Sequence, residues 1–192
     1  MEKTENNSNE HPPEQKSPSF LKEVVSVLRE IAETIIPAIA IALVINLFLA
    51  QATVVQGQSM EPNLHDYQRV VVEKVTYNFF HGPQRGDIVV IDLPNQSDML
   101  IKRVLGLPGE TLEIRDGQIY INGELVEETW TTSSSYHGNY GPYTVPPLHV
   151  FVLGDNRGAS NDSRSFGPVH MNTIVGRAWF SYWPPEYLGT LE

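Results

Sequence analysis

The sequence contains no cysteine. Disulfides, thiolate nucleophiles and cysteine-ligated metal sites are thereby excluded. An extracytoplasmic location fits that absence but is not required by it. Positive charge is also scarce: 13 Lys and Arg stand against 23 Asp and Glu, giving a net charge of -10. A chain with no basic field has little to attract a phosphate backbone, so nucleic acid is not an expected partner. Metal signatures are missing too. His65, His81, His137, His149 and His170 show no H-E-x-x-H or other ligand spacing, and the acidic residues do not follow the EF-hand pattern. No internal repeat is visible. What remains is a 192-residue chain, 41% hydrophobic, with room for one sizeable folded domain plus appendages.

Residues 1–18 are polar, rich in Glu, Asn and Pro. They hold too few apolar side chains to offset their ordering entropy, which predicts a disordered tail. From Phe20 the pattern changes: Phe20, Leu21, Val24, Val25, Leu28, Ile31 and Ala32 recur at helical spacing, with charged residues between them. An uncharged run of sixteen residues then extends from Ile35 to Ala50, with Pro37 and Asn46 inside it. As a helix it would rise about 24 Å, a little short of a hydrocarbon core of roughly 30 Å. A further turn or local thinning of the bilayer closes that gap. The reading is an amphipathic and transmembrane helix over residues 19–52. Two alternatives stay open: a buried core helix, and a cleavable signal peptide ending in Ala50-Gln51-Ala52. The near absence of polar positions disfavours the first, and the long acidic tail ahead disfavours the second. Lys16, Lys22 and Arg29 precede the run and only Arg69 follows closely, which places the N-terminus in the cytoplasm and residues 53–192 across the membrane.

The rest of the chain reads as a mostly β, antiparallel domain with few or no helices. Arg69–Glu73, Asp87–Ile91, Thr111–Ile114, Gln118–Ile121, Val150–Leu153 and Thr173–Phe180 are short β-branched or aromatic runs. Asp116-Gly117 and Asn122-Gly123 are hairpin turns. Thr129–Pro147 reads as a long loop.

Three segments could carry chemistry. Ser59 follows Gly57-Gln58 and precedes Met60-Glu61-Pro62, a chain bend next to the apolar run. Lys102 and Arg103 interrupt an apolar strand, and alternation points them to opposite faces, so one should face the core or a cleft. A buried lysine is neutral or paired; moving its pKa from near 10.4 to about 7–8 costs roughly 4 kcal/mol and makes it a general base at ordinary pH. The alternative is a lysine that snorkels its head into water. The segment from Gly154 to Gly167 is dense in Asp, Asn, Ser and Arg, a loop ordered by its own turns and ion pairs.

Together these segments resemble bacterial signal peptidase I over roughly Phe20 to Trp183. Ser59-Met60-Glu61-Pro62-Asn63-Leu64 looks like the family's S-M-x-P-T-L box, and Arg85-Gly86-Asp87-Ile88-Val89 looks like its R-G-D-I-V box. Lys102-Arg103-Val104 with Gly106-Leu107-Pro108-Gly109 looks like its K-R-V box, and Gly154-Asp155-Asn156-Arg157 through Ser160 to Asp162-Ser163-Arg164 looks like its G-D-N-R-x-x-S-x-D-S-R box. Val72-Glu73-Lys74-Val75 and the single apolar run are similar to the cyanobacterial and plastid branch. The resemblance implies a signal-peptidase β fold and a membrane serine endopeptidase that cuts preproteins after small-x-small (A-x-A) motifs. Ser59 would be the nucleophile and Lys102 the general base. Ser160 would orient Lys102, and Asp162, Arg164, Asp155 and Arg157 would support the site. The Ser59 backbone N–H would serve the oxyanion hole, with the second donor undefined because Gly57 stands where some members have Ser. Asn63 stands where the family usually has Thr.

No metal or organic cofactor is implied. The expected partners are preprotein signal peptides, the lipid bilayer of a cell or thylakoid membrane, and the protein-export machinery. Val54, Val55, Gln56 and Ile101 are the expected substrate-binding residues, on strand edges that an extended peptide could join. The competing readings are a serine/lysine self-cleaving repressor, a non-catalytic anchored β module and a soluble protein released at Ala52. The apolar run opposes the first, and the presence of both Ser59 and Lys102 opposes the second.

Overall fold

The structure, a computed structural model, describes residues 20–45, 49–94, 96–131 and 137–191. The tail expected at 1–18 lies outside them. The chain divides into two compact units, Met1–Leu43 and Val44–Glu192. The first contributes one helix, α1 (Phe20–Val44), which continues through Pro37. Its apolar residues, among them Ile35, Ile36, Ile39 and Leu43, are exposed. Among the described residues no helix is long and apolar enough to cross a membrane. The expectation of a helix reaching Ala52 is corrected: Ala50–Val54 form a strand, β1, whose residues pair with Arg69–Glu73 (β2) from Ala50↔Glu73 to Val54↔Arg69. Once Ala50, Gln51 and Ala52 hydrogen-bond to a neighbouring strand, they cannot also close helical turns.

The larger unit is built on two antiparallel sheets. One has the order β1, β2, β11 (Ile174–Trp183), β3 (Ile88–Ile91), β4 (Leu100–Gly106), β9 (His149–Leu153) and β10 (Val169–His170), with β12 (Gly189–Thr190) paired to β11. The other runs β7 (Glu124–Leu125), β6 (Gln118–Ile121), β5 (Thr111–Arg115) and β8 (Tyr140–Thr144). Asp116 and Asn122 take positive φ angles of 48° and 53° at the two expected hairpin turns. The strand β8 lies inside the stretch read as a loop. Gly141 and Pro142 hide it in the sequence, but Tyr140 and Tyr143 pack against the core cluster that includes Phe151. Two short helices also occur, α2 (Val75–Phe79) and α3 (Ser163–Phe166).

All four residues of β3 are buried, because both faces of this central strand are covered. Ile88 and Val90 belong to a cluster with Val55, Met60 and Leu64, while Val89 and Ile91 belong to another with Val104, Val150 and Val152. The same geometry governs β4. Lys102 lies opposite Val89 and Arg103 opposite Ile88, so the two cations enter different apolar layers. Both are therefore buried, at 3% and 0% exposure. Alternation had called for only one.

Candidate active site

The turn after β1 presents Ser59. Its local bonds run from the Glu61 amide to the Gln58 carbonyl and from the Leu64 amide to the Met60 carbonyl, with Met60 and Leu64 inserted in the core as anchors. The Ser59 carbonyl accepts from the Asn156 amide at 3.0 Å, which ties the turn to the 154–164 loop. Across from it, Lys102 Nζ donates to Ser59 Oγ at 2.7 Å and to the Ile101 carbonyl at 2.8 Å. Burial pushes the Lys102 pKa down from 10.5 to about 8, against the opposing pull of the Asp162 and Asp155 carboxylates. A large fraction of the side chain is thus neutral at mildly alkaline pH, and its lone pair can accept the Ser59 proton. Sequence reasoning had placed these two residues in separate segments 43 positions apart; the fold brings them into contact.

The supporting residues are distributed differently from expectation. Asp162 is fully buried and holds Arg164 through a bidentate pair, Nε to Oδ1 and Nη2 to Oδ2, both 2.8 Å. It also accepts from the Gly154 amide at 3.1 Å. Asp155 pairs bidentately with Arg103, again at 2.8 Å for both bonds, with each side chain 1% exposed. Arg157 donates to the Gly154 carbonyl at 3.0 Å and forms an ion pair with Glu128.

Ser160 requires a correction. The bond to Lys102 that the resemblance implies is not formed: Ser160 Oγ is buried and has no hydrogen-bond partner. Its side chain lies against Gly154, where an added Cβ would collide with it and would sit 2.5 Å from the Ser59 carbonyl oxygen. The absence of a side chain at 154 is what lets the two loops touch. Gly154→Ala is therefore expected to destabilise the protein by about 1–3 kcal/mol, as overpacking does, and to depress peptide cleavage more than stability alone explains. Chemical denaturation alongside an activity assay would show whether the two losses separate.

Gly57 does not offer a free second oxyanion donor, because its amide donates to Asp66 Oδ1 at 2.9 Å. Of the expected substrate contacts, Val54, Gln56 and Ile101 line a cleft of about 220 Å³ together with Thr53, Ser97, Asp98 and Met99. Val55 does not: it is 2% exposed and packs with Met60 and Leu64. β1 is an end strand, and the β4–β9 ladder starts only at Arg103. The cleft is therefore flanked by the unpaired edge of β1 and the half-paired start of β4. Among the described residues no group of His, Asp or Glu could hold a metal ion.

Residues 28–183 match the protein family described as signal peptidase, peptidase S26. The chain belongs to this family. A probable signal peptidase I-2 of Synechocystis is 36% identical over 84% of this chain and 76% of its own length. A signal peptidase I of Leptolyngbya laminosa is 40% identical, covering 86% of this chain and 85% of its own. Thylakoidal processing peptidase 1 of Arabidopsis thaliana is 34% identical over 87% of this chain, though that is 52% of the plant protein. The protein is thus an S26 serine peptidase with relatives in bacteria and plastids.

Against the family boxes, sequence reasoning missed two residues near the site, Trp130 and Glu128, and the bonds that Asn63 makes. Asn63 Nδ2 reaches the Trp130 carbonyl at 2.5 Å and Asp155 Oδ2 at 2.8 Å, over separations of 67 and 92 residues. No sequence signal pointed to these contacts: the need for a buried acid such as Asp155 appears only once Arg103 is seen to be buried beside Lys102.

Proposed function

We propose that the protein removes signal peptides from exported preproteins, cutting after small-x-small motifs with Ser59 as nucleophile and Lys102 as general base. The observation that carries this is the 2.7 Å contact between Ser59 Oγ and a lysine Nζ whose pKa burial lowers to about 8. In the reaction Lys102 takes the Ser59 proton as Oγ attacks the scissile carbonyl, then returns it to the leaving amine; water repeats the cycle on the acyl-enzyme. The Ser59 amide would stabilise the oxyanion.

The cleft suits the substrate. A peptide joining the β1 edge is extended, and its alternate side chains point one way into a shallow space bounded by Thr53, Val54 and Ile101. Such a row admits Ala more readily than larger residues. The exposed apolar part of α1, together with the uncharged residues up to Leu49, would hold the protein at the membrane. That accords with relatives from bacteria and thylakoids. The preprotein and the bilayer are then its partners.

The test is cleavage of an A-x-A preprotein by the purified full chain in detergent, with N-terminal sequencing of the product. A preprotein left intact, or cut elsewhere, would overturn the proposal. The pH dependence is fixed by the lysine. Activity is expected to rise with pH through an apparent pKa of about 8, because the protonated form, dominant below that value, cannot accept a proton. A flat profile between pH 6 and 9 would count against Lys102 as the base.

A further inference from the structure

Residues 129–131 lie in the stretch read as a loop, yet together with Glu128 they bind both loops that build the site. Glu128 pairs with Arg157, and Trp130 Nε1 donates back to Glu128 at 3.2 Å. The Trp130 ring lies under the Arg103 guanidinium, 4.9 Å from ring centre to Cζ. Thr131 Oγ1 donates to the Asp155 carbonyl at 3.3 Å. The strap thus holds the 154–164 loop through Arg157 and Asp155, and it holds β4 through Arg103.

The nucleophile turn joins this assembly through the side chain of Asn63. Its carboxamide has two N–H bonds, both on Nδ2. One goes to the Trp130 carbonyl and one to Asp155 Oδ2. Asp155 already carries both Arg103 bonds, so its carboxylate is the joint at which turn, strap and β4 meet. The residue next to Arg103 in the chain is Lys102, and Ser59 lies four positions before Asn63. Asn63 therefore fixes, through one rigid acid, the placement of the two groups that must react.

We propose that Asn63 is a positioning residue for Ser59: by bridging Asp155 and the 128–131 strap, it sets the Ser59 Oγ to Lys102 Nζ distance. The proposal rests on the Ser59–Lys102 reading of the site. A Thr here, the residue the family box usually holds, has a single O–H and can donate to only one of the two acceptors. The double bridge is a property of this chain's own Asn. Catalysis is sensitive to such placement, since about 1 Å of error in a reacting group can cost roughly 100-fold.

Asn63 is itself solvent-exposed, so changing it opens no cavity. The experiment is steady-state cleavage of an A-x-A preprotein by the full chain, with Asn63→Leu (similar size, no donor) and Asn63→Thr (one donor). Denaturation curves give the folded fraction of each. Wild type must cut and Ser59→Ala must not; failure there removes the dyad reading and is separate from any result at Asn63. Given that control, Asn63→Leu is expected to lose roughly 10- to 100-fold in kcat per folded molecule with KM changed less than about threefold. Asn63→Thr is expected to recover part of the loss. If kcat per folded molecule stays at the wild-type value in Asn63→Leu, the proposal is overturned and the bridge only stabilises the fold. Should Asn63→Leu not fold, Asn63→Thr decides alone: a wild-type kcat overturns the proposal, and an intermediate one with unchanged KM supports it.

Discussion

Lys102→Met is expected to abolish cleavage and, at neutral pH, to make the protein more stable. The loss of activity should reach at least about 10⁴-fold in kcat/KM, the scale seen when one member of a serine-protease catalytic set is removed. The gain in stability follows from linkage. In the unfolded chain the lysine titrates near 10.5, and in the fold near 8. Keeping the charge in the buried site penalises the fold, and between those values, where the unfolded state binds a proton that the folded state does not, stability rises with pH as the penalty is relieved. The penalty is fully present below about 8, fades as pH rises, and is gone above 10.5. Its full size is roughly 3 kcal/mol at about 1.4 kcal/mol per pKa unit. Methionine fills similar space without charge. After subtracting the lost bonds to Ser59 Oγ and the Ile101 carbonyl, each worth about 1 kcal/mol, a net gain of about 1–2 kcal/mol should remain at pH 7. Urea denaturation at pH 7 and pH 10.5 would read it. A variant less stable than wild type at pH 7 would contradict the depressed pKa. Ser59→Ala, equally inactive, should show no such pH-dependent gain.

Arg103→Met is expected to act in the opposite sense, lowering stability by about 3–5 kcal/mol. Arg103 and Asp155 are both 1% exposed at the side chain, and their bidentate bonds satisfy a charge that water does not reach. Removing the cation strands the carboxylate. Asn63 Nδ2 still donates to it, but one neutral amide does not balance a buried charge. The contact with the Trp130 ring is lost as well. Activity at pH 7 should fall further than the folded fraction, because an unpaired Asp155 raises the Lys102 pKa by the same coulombic effect that it already exerts. The pair can be removed together. Arg103→Met with Asp155→Leu should recover a substantial part of the stability, since apolar replacements of a buried pair are often neutral. A double variant no more stable than Arg103→Met, by denaturation, would argue that the network is held by something other than this pair.

How much of this was legible in the sequence depends on whether the cause was local. The strands β2, β3, β5, β6 and β9 are written in short β-branched runs, and the Asp116-Gly117 and Asn122-Gly123 turns are fixed by two residues each. β8 was not legible, because Gly141 and Pro142 read as loop and its pairing with β5 is tertiary. The helix limit was misplaced for a similar reason: Ala50–Ala52 are apolar enough for either state, and the β2 ladder decides. At the site, the β4 pattern showed that a cation turns inward but not that both do. That depends on layers on each side of the sheet, contributed by residues far away in the chain. The family boxes supplied the Ser59–Lys102 pairing. They also implied a Ser160–Lys102 bond that the packing of Ser160 against Gly154 does not form. Asn63 was visible only as a departure from the family box, and Glu128 and Trp130 carried no signal, since their ties to Arg157 and Asn63 span 29 and 67 residues.

β1 is both the first strand after α1 and one wall of the cleft. Its register against β2 is unbroken over Ala50 to Val54, so it behaves as a graduated scale, with marks roughly 3.3 Å apart, whose zero is Ala50 and whose last mark, Val54, lies five positions before Ser59. A peptide paired to that scale is read in steps of two, because a slip by one residue turns every side chain to the opposite face. Under the proposed binding mode, the choice of bond is therefore a parity decision as much as a recognition of size. The same five residues would exclude the nearest wrong bond.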